Sequence, residues 1–231
     1  LPRPRVVVTT IPPVANLMGR LPVERWVYYC VDDFRQWPEM AGDVLARLER
    51  DLVQQADVII AAGKRLAQHI EELGRSAQVL THGVDLGLWT SSPAEGSGGP
   101  IPANCRALPD GRSWTSLEKP WIVFWGSVNW QVDKEFVSTL AAQLRCGTLL
   151  FLGPVTDCDP ALARLPHVVL AGPVPYQALP WFGQQADVLI MPYRRGPGLE
   201  ESEPLKLREY LATGRPVVAR DLPANRQWQD A

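Results

Sequence analysis

Short apolar runs alternate with longer stretches in which leucine and isoleucine return every three or four positions, and this rhythm holds along most of the chain. The runs read as β-strands at Val6–Thr9, Trp26–Val31, Val58–Ala62 and Gln78–Thr81. A second set follows at Trp121–Trp125, Leu149–Leu152, Val168–Ala171, Val188–Met191 and Val217–Ala219. The stretches between them read as amphipathic helices. Leu45, Leu48 and Leu52 share one face, as do Leu66, Ile70 and Leu73, and also Phe136, Leu140 and Leu144. Strands this apolar are expected to be covered on both faces, which is what parallel sheets require. The pattern predicts an α/β, doubly wound protein.

The rhythm breaks once, between about Trp89 and Pro120. Ser91-Ser-Pro-Ala-Glu-Gly-Ser-Gly-Gly-Pro100 is turn and linker chemistry, and the residues after it show no clear period. A boundary is therefore expected there. Residues 1–88 form one unit, 89–119 a linker and 120–231 a second unit. With four strands before the break and five after it, each unit resembles a Rossmann-like sheet short of the roughly six strands of a full one.

Composition narrows the function. The 231 residues are 46% hydrophobic, enough for a packed core, and carry a formal net charge of −2. No basic stripe is present for nucleic acid, so nucleic acid is excluded as a partner. No apolar run approaches membrane-spanning length, which leaves contact at a membrane surface as the expected mode of any membrane association. Cys30, Cys105, Cys146 and Cys158 are widely spaced, against both a zinc ribbon and a disulfide scaffold, and fit a reducing cytoplasmic setting. The chain opens on Leu1 and not Met, and is expected to be a fragment or a processed product.

The chemistry concentrates at Glu201-Ser-Glu-Pro-Leu-Lys-Leu-Arg-Glu-Tyr-Leu-Ala-Thr-Gly214. Pro204 suits the first turn of a helix, Ser202 or Glu203 can cap it, and Gly214 fits a left-handed stop. The amides of the first turn and the positive end of the helix dipole suit a phosphate, and Lys206 adds a full charge. Glu209 lies more than a turn inside, where its acceptor-only carboxylate matches a ribose diol. Glu201, in the preceding loop, is placed for hydroxyls of a sugar beyond the phosphates. Spacing alone leaves a plainer reading open, with Glu209 as a solvated helix residue.

The wider context resembles the GT-B glycosyltransferases, in particular the family 4-like group with its E-x7-E signature. In the first unit the resemblance is carried by Val27-Tyr-Tyr-Cys-Val-Asp-Asp-Phe34, Ala56-Asp-Val-Ile-Ile-Ala-Ala-Gly63 and Thr81-His-Gly-Val-Asp85. In the second it is carried by Phe124-Trp-Gly-Ser-Val128, Gly172-Pro-Val-Pro175, Ala186-Asp-Val-Leu-Ile-Met-Pro192 and Pro204-Leu-Lys-Leu-Arg-Glu-Tyr-Leu211. It implies a retaining, metal-independent transferase that needs no cofactor besides its nucleotide-diphosphate sugar donor. The acceptor would be a carbohydrate or lipid-linked hydroxyl, and the setting cell-envelope polysaccharide synthesis in the cytoplasm at the inner face of the membrane. The resemblance assigns Glu201 to the donor sugar, Glu209 to the ribose, Leu205 and Lys206 to the diphosphate, Gly126 and Ser127 to a first phosphate loop, and Val174 to the border of the nucleobase.

Two departures matter. Relatives carry Arg and Lys in the first phosphate loop where Ser127 and Val132 stand here, which shifts the load to Lys206 and to Arg194 or Arg195. On the acceptor side Asp32 takes the place of a histidine in a His-Asp pair and is the candidate base, with Asp33 either sharing that role or capping the turn. Asp157-Cys-Asp159 matches a D-x-D metal pattern, yet reads as a turn ahead of Pro160. His69 is expected on a helix surface, His82 in packing or capping, and His167 without a partner. Trp26, Trp121 and Trp125 are expected to fill core, and Trp130 follows the phosphate loop. A sugar-nucleotide epimerase and a non-catalytic nucleotide-binding module remain as rival functions. A glycosidase is disfavoured, because its two carboxylates must flank one bond.

Overall fold

The computed structural model describes residues 5–36, 41–90, 101–105, 107–196, 199 and 204–229. The described residues divide into two compact units. One takes in the chain to His82 with the described parts of 195–203 and 222–227, and the other holds most of the rest.

In the first unit, β1 (Val6–Thr9), β2 (Arg25–Cys30), β3 (Val58–Ala61) and β4 (Gln78–Val79) form a parallel sheet in the order 1-2-3-4. Helices α1 (Gly42–Gln55) and α2 (Lys64–Glu72) alternate with the strands. Tyr28, Cys30, Leu52, Val53, Ile59, Leu66 and Ile70 are the centre of its core. Coverage is uneven: Val6 and Val8 of the edge strand β1 are 55% and 61% exposed, and both residues of β4 are exposed. The two-sided burial expected of these strands therefore fails at the sheet's edges.

In the second unit, β5 (Trp121–Trp125), β6 (Thr148–Leu152), β7 (Val168–Gly172), β8 (Val188–Met191) and β9 (Val217–Ala219) form a parallel sheet in the order 7-6-5-8-9. Its helices are α3 (Leu86–Thr90), α4 (Lys134–Gln143), α5 (Leu179–Gln185) and α6 (Leu205–Ala212). Every residue of β5 and β6 is buried, as a central parallel strand demands. Relabelled from β5, the order is 3-2-1-4-5, so the chain reverses direction across the sheet between β5 and β8. In open α/β sheets a ligand sits beyond the carboxyl ends of strands at such a switch point.

Among the described residues nine strands are present, and all lie where the apolar runs place them, to within a residue or two at most ends. One device closes both sheets. Asp57, just before β3, accepts the backbone N–H of Trp26 at 2.8 Å, and Asp187, just before β8, accepts that of Trp121 at 2.6 Å. Each carboxylate thus satisfies a backbone donor at the start of a neighbouring strand, Trp121 being the first residue of β5 and Trp26 the second of β2, which accounts for the Ala-Asp-Val that opens both runs.

Two expectations need correction. Helix α4 buries Val137 and Ala141, and the face with Phe136, Leu140 and Leu144 is only half-buried; the Arg220 guanidinium lies 5.8 Å from the Phe136 ring centre. The described part of the stretch expected to be a linker packs within the second unit, with Trp89, Cys105, Leu108, Trp114 and Leu117 all buried.

Candidate functional site: the pocket at the end of β5

The pocket starts from backbone. Beyond β5 the chain turns through Gly126 (φ 135°), and beyond β6 through Gly153 (φ 143°). The Gly126 N–H donates to the Leu152 carbonyl at 2.8 Å, and the Gly153 N–H to the Gly172 carbonyl at 2.8 Å. A side chain at Gly153 would run into the Gly126 carbonyl, and one at Gly126 into the Lys206 side chain. Only glycine permits that approach at both positions.

Helix α6 closes one wall. It runs from Leu205 behind an extended Pro204, which is the cap and not the first helical residue, and stops at Gly214 with φ 70°. Lys206 leans over Gly126, its ammonium hydrogen-bonded to the Tyr193 hydroxyl and 5.6 Å from the Phe124 ring centre. Glu209, one turn further, is 4% exposed. Its Oε2 accepts the indole N–H of Trp125 at 2.8 Å and its Oε1 accepts the Tyr176 hydroxyl at 2.9 Å. A solvated Glu209 is therefore the wrong reading.

Trp125 is itself locked. Its ring stacks on Trp89 with centroids 5.2 Å apart and meets the edge of Tyr210 at 4.3 Å. The Tyr210 hydroxyl accepts the Trp125 backbone N–H at 3.1 Å. Burial pushes the Tyr210 hydroxyl well above the ordinary tyrosine range. Burial, then the Glu209 carboxylate, raises Tyr176 as well, so both hydroxyls stay protonated and Tyr176 keeps donating. The result is a cavity of about 300 Å³ lined by Trp125, Gly126, Gly153, Val174, Lys206 and Glu209, among others. Its apolar part comes from Leu152, Pro154, Pro173, Val174 and Leu179, and a ring-shaped ligand suits it.

Five of the expected donor-site residues thus converge: Gly126, Val174, Leu205, Lys206 and Glu209. Ser127 is not among the residues that line this cavity, and its hydroxyl shares a hydrogen bond with Thr156 at 3.2 Å. Arg194 lines a different, polar cavity of about 600 Å³ with Trp130, Lys134, Asp157 and Asp159. Its guanidinium sits 5.4 Å from the Trp130 ring centre and donates to the Trp130 carbonyl at 3.2 Å. Glu201 lies outside the described residues. Sequence reasoning missed Tyr176, and it read Trp125 as filler only. A polar-tipped aromatic at the end of a strand, ahead of the glycine turn, was the available signal.

In the first unit Asp33 is 3% exposed, and both of its oxygens hold the Arg35 guanidinium, at 2.6 and 2.7 Å. Asp32 is half-buried and caps the turn by accepting the Asp33 N–H at 2.8 Å. Below them Glu49, 3% exposed, accepts the Tyr28 hydroxyl at 2.7 Å and pairs with His69 Nε2 at 3.0 Å. Arg35 Nη2 lies 3.4 Å from His69 Nδ1. His69 is therefore largely buried within a polar network, and the surface expected of it was wrong because α2 turns that position toward α1. His167 also has a partner, the Gly147 carbonyl at 3.0 Å, and its own backbone is left-handed, φ 63°. His82 packs near Tyr29, centroids 6.1 Å apart.

Asp159 caps the turn Pro160–Arg164 through the Ala161 N–H at 2.8 Å and pairs with Lys134 at 2.8 Å, as a turn aspartate should. Among the described residues no group of three or more His, Cys, Asp or Glu is arranged to hold a metal ion. Among them, too, no helix is long and apolar enough to cross a membrane.

A helix start, a glycine floor and a buried carboxylate meet in one pocket at a switch point of the second unit's sheet. Residues 119–230 match the family described as Glycosyl transferases group 1. That segment is similar to glycosyltransferase group 1, and the chain has the GT-B fold of its structural neighbours. Over 195 residues the chain is 28% identical to "Putative teichuronic acid biosynthesis glycosyltransferase TuaH" of Bacillus subtilis (strain 168), covering 83% of this chain and 47% of the relative. Anabaena Alr3699/HepE, solved in complex with UDP-glucose, superposes with a TM-score of 0.69 at 15% identity, over 98% of this chain and 62% of that one. Sucrose-phosphate synthase of Thermosynechococcus elongatus superposes with a TM-score of 0.62 at 18% identity, over 96% of this chain and 57% of that one. The chain thus spans about half the length of the curated relative it matches.

Proposed function

We propose that the protein containing this chain transfers a sugar from a nucleoside-diphosphate sugar to a hydroxyl of a carbohydrate or lipid-linked acceptor. The observation that carries the reading is the single pocket in which Gly126, the start of α6, Lys206 and the buried Glu209 meet. The base enters the apolar part beside Val174, Glu209 takes the ribose, and the diphosphate lies over Gly126 toward Lys206 and the amide of Leu205. As the sugar–phosphate bond breaks, charge grows on the leaving diphosphate. A fixed ammonium and a helix N-terminus stabilise that charge without a metal ion.

Glu201 is assigned to the donor sugar. Asp32 is assigned as the base that takes the acceptor proton, with Asp33 supporting the turn through Arg35. Transfer proceeds with retention at the anomeric carbon. The relative's name supports cell-envelope polysaccharide synthesis, and UDP-glucose in Anabaena Alr3699/HepE makes UDP sugars the first donors to try. The setting we assign is the cytoplasm, at the inner face of the membrane.

The test is a thermal-shift screen with UDP, GDP and ADP and their sugars, because a ligand bound only to the folded state raises the melting temperature by mass action. One nucleoside diphosphate is expected to stabilise the protein and its sugar to do so at least equally. No shift with any of them contradicts the reading. Products formed from donor alone, without acceptor, would point instead to an epimerase.

A further inference from the structure

Among the described residues Glu209 has two hydrogen-bond partners, one on each oxygen, and both are neutral donors: the Trp125 indole N–H at 2.8 Å and the Tyr176 hydroxyl at 2.9 Å. A carboxylate has about four lone-pair sites, two to an oxygen. Trp125 and Tyr176 therefore leave about one acceptor site on each oxygen, and all three side chains line the same pocket. Two adjacent acceptor sites on a carboxylate of fixed orientation match two neighbouring O–H donors on one ring. They do not match one.

The fixing is physical. Trp125 is 2% exposed, stacked on Trp89 and edge-on to Tyr210, so its N–H has one direction only. Tyr176 is held differently. It stands at the rim, 47% exposed, with its ring edge-on to Trp89 at 6.0 Å. One donor is thus part of the core and the other part of the pocket's mouth.

We infer that Trp125 and Tyr176 are positioning residues that hold Glu209 as a reader of a vicinal cis-diol, and so make the pocket selective for ribonucleotides over deoxyribonucleotides. This rests on the nucleotide reading of the pocket given above. Removing one hydroxyl from the ligand strands a buried acceptor site, whose lost partner is felt in full. Freeing one carboxylate oxygen lets Glu209 rotate and receive a single hydroxyl, which relaxes the choice.

The experiment is calorimetric titration of the chain with UDP, GDP and ADP, and with the 2′-deoxy form of whichever binds, for the wild type, Tyr176→Phe and Trp125→Phe. The wild type should prefer the ribonucleotide by roughly 10-fold or more, the size of a hydrogen bond to a charged group. Tyr176→Phe keeps the ring and should cut that preference to about 3-fold or less, mostly by weakening the ribonucleotide. Trp125→Phe should do the same wherever circular dichroism shows it folded, and Tyr176→Phe alone decides if it is not. A wild type that binds both forms equally overturns the inference while leaving the nucleotide reading standing. Equal weakening of both ligands by Tyr176→Phe also overturns it, since that is loss of packing and not of positioning. Absence of any binding by the wild type overturns the nucleotide reading and the inference with it.

Discussion

Two buried glutamates, Glu49 in the first unit and Glu209 in the second, look alike by burial and are opposite in use. Each is under 5% exposed, at 3% and 4%, and each accepts a tyrosine hydroxyl, from Tyr28 and Tyr176. Around Glu49 the protein supplies the remaining partners: His69 at 3.0 Å, Arg35 at 3.9 Å and the Cys30 thiol at 3.9 Å. Around Glu209 it supplies one indole N–H and then an open pocket. A buried carboxylate is costly unless paired. Glu49 is paired by its own unit and holds the turn after β2 in place. Glu209 keeps capacity for a ligand, and that capacity is what a binding site consists of.

The comparison can be broken in the first unit, where the largest effect is expected. In the full-length protein with its acceptor, Asp32→Asn should lower turnover by about 10²–10⁴-fold, the usual worth of a positioned base, with donor affinity nearly unchanged. Asp33→Asn should cost about 1.5–3 kcal/mol of stability by weakening the Arg35 pair, and retain most turnover. If Asp33→Asn abolishes turnover and Asp32→Asn retains it, the two roles are reversed.

Glu49→Ala comes next. It leaves Tyr28 and His69 without their buried partner and should cost about 3–5 kcal/mol, read as a lower urea midpoint. Nucleotide affinity, measured below that midpoint, should stay the same. A loss of affinity as large as that from Glu209→Ala would erase the distinction between the two glutamates.

A smaller effect is expected at Lys206. Lys206→Ala should weaken a nucleoside diphosphate roughly 10-fold and the bare nucleoside hardly at all, because an ammonium acts on phosphate as a point charge. Equal weakening of both ligands would make Lys206 a support for Tyr193 and Gly126 only. The smallest effect is at the thiols. Burial first, and then the carboxylates around it, push Cys30 up to about 12, so about one part in ten thousand is thiolate at pH 8. A thiol reagent on the native protein should modify the exposed Cys146 and leave Cys30 untouched. Rapid labelling of Cys30 would show that the Glu49 network opens readily.

The sheets were legible because their signal is local. An apolar run such as Trp121–Trp125 is a strand whichever neighbours it finds, and Ala56-Asp-Val58 and Ala186-Asp-Val188 marked strand starts that the two aspartates in fact secure. Much of the pocket was legible for a related reason: Gly126, Lys206 and Glu209 belong to short patterns with a fixed geometry. Tyr176 and the indole of Trp125 were not. Their roles depend on three segments meeting, which spacing along the chain does not encode. His69 failed likewise, since nothing local says that α2 faces Glu49. Ser127 and Arg194 were placed by position in a pattern, and what they meet in the fold is Thr156 and the Trp130 cavity.

The central claim is that Glu209 reads the ligand and Glu49 does not, and calorimetric titration of the best-stabilising nucleoside diphosphate into wild type and Glu209→Ala tests it most directly. Loss of a charged hydrogen-bond acceptor predicts weakening by about 1.5–3 kcal/mol, or roughly 10- to 150-fold in Kd, with the protein still folded. An unchanged Kd in a folded Glu209→Ala would contradict the account.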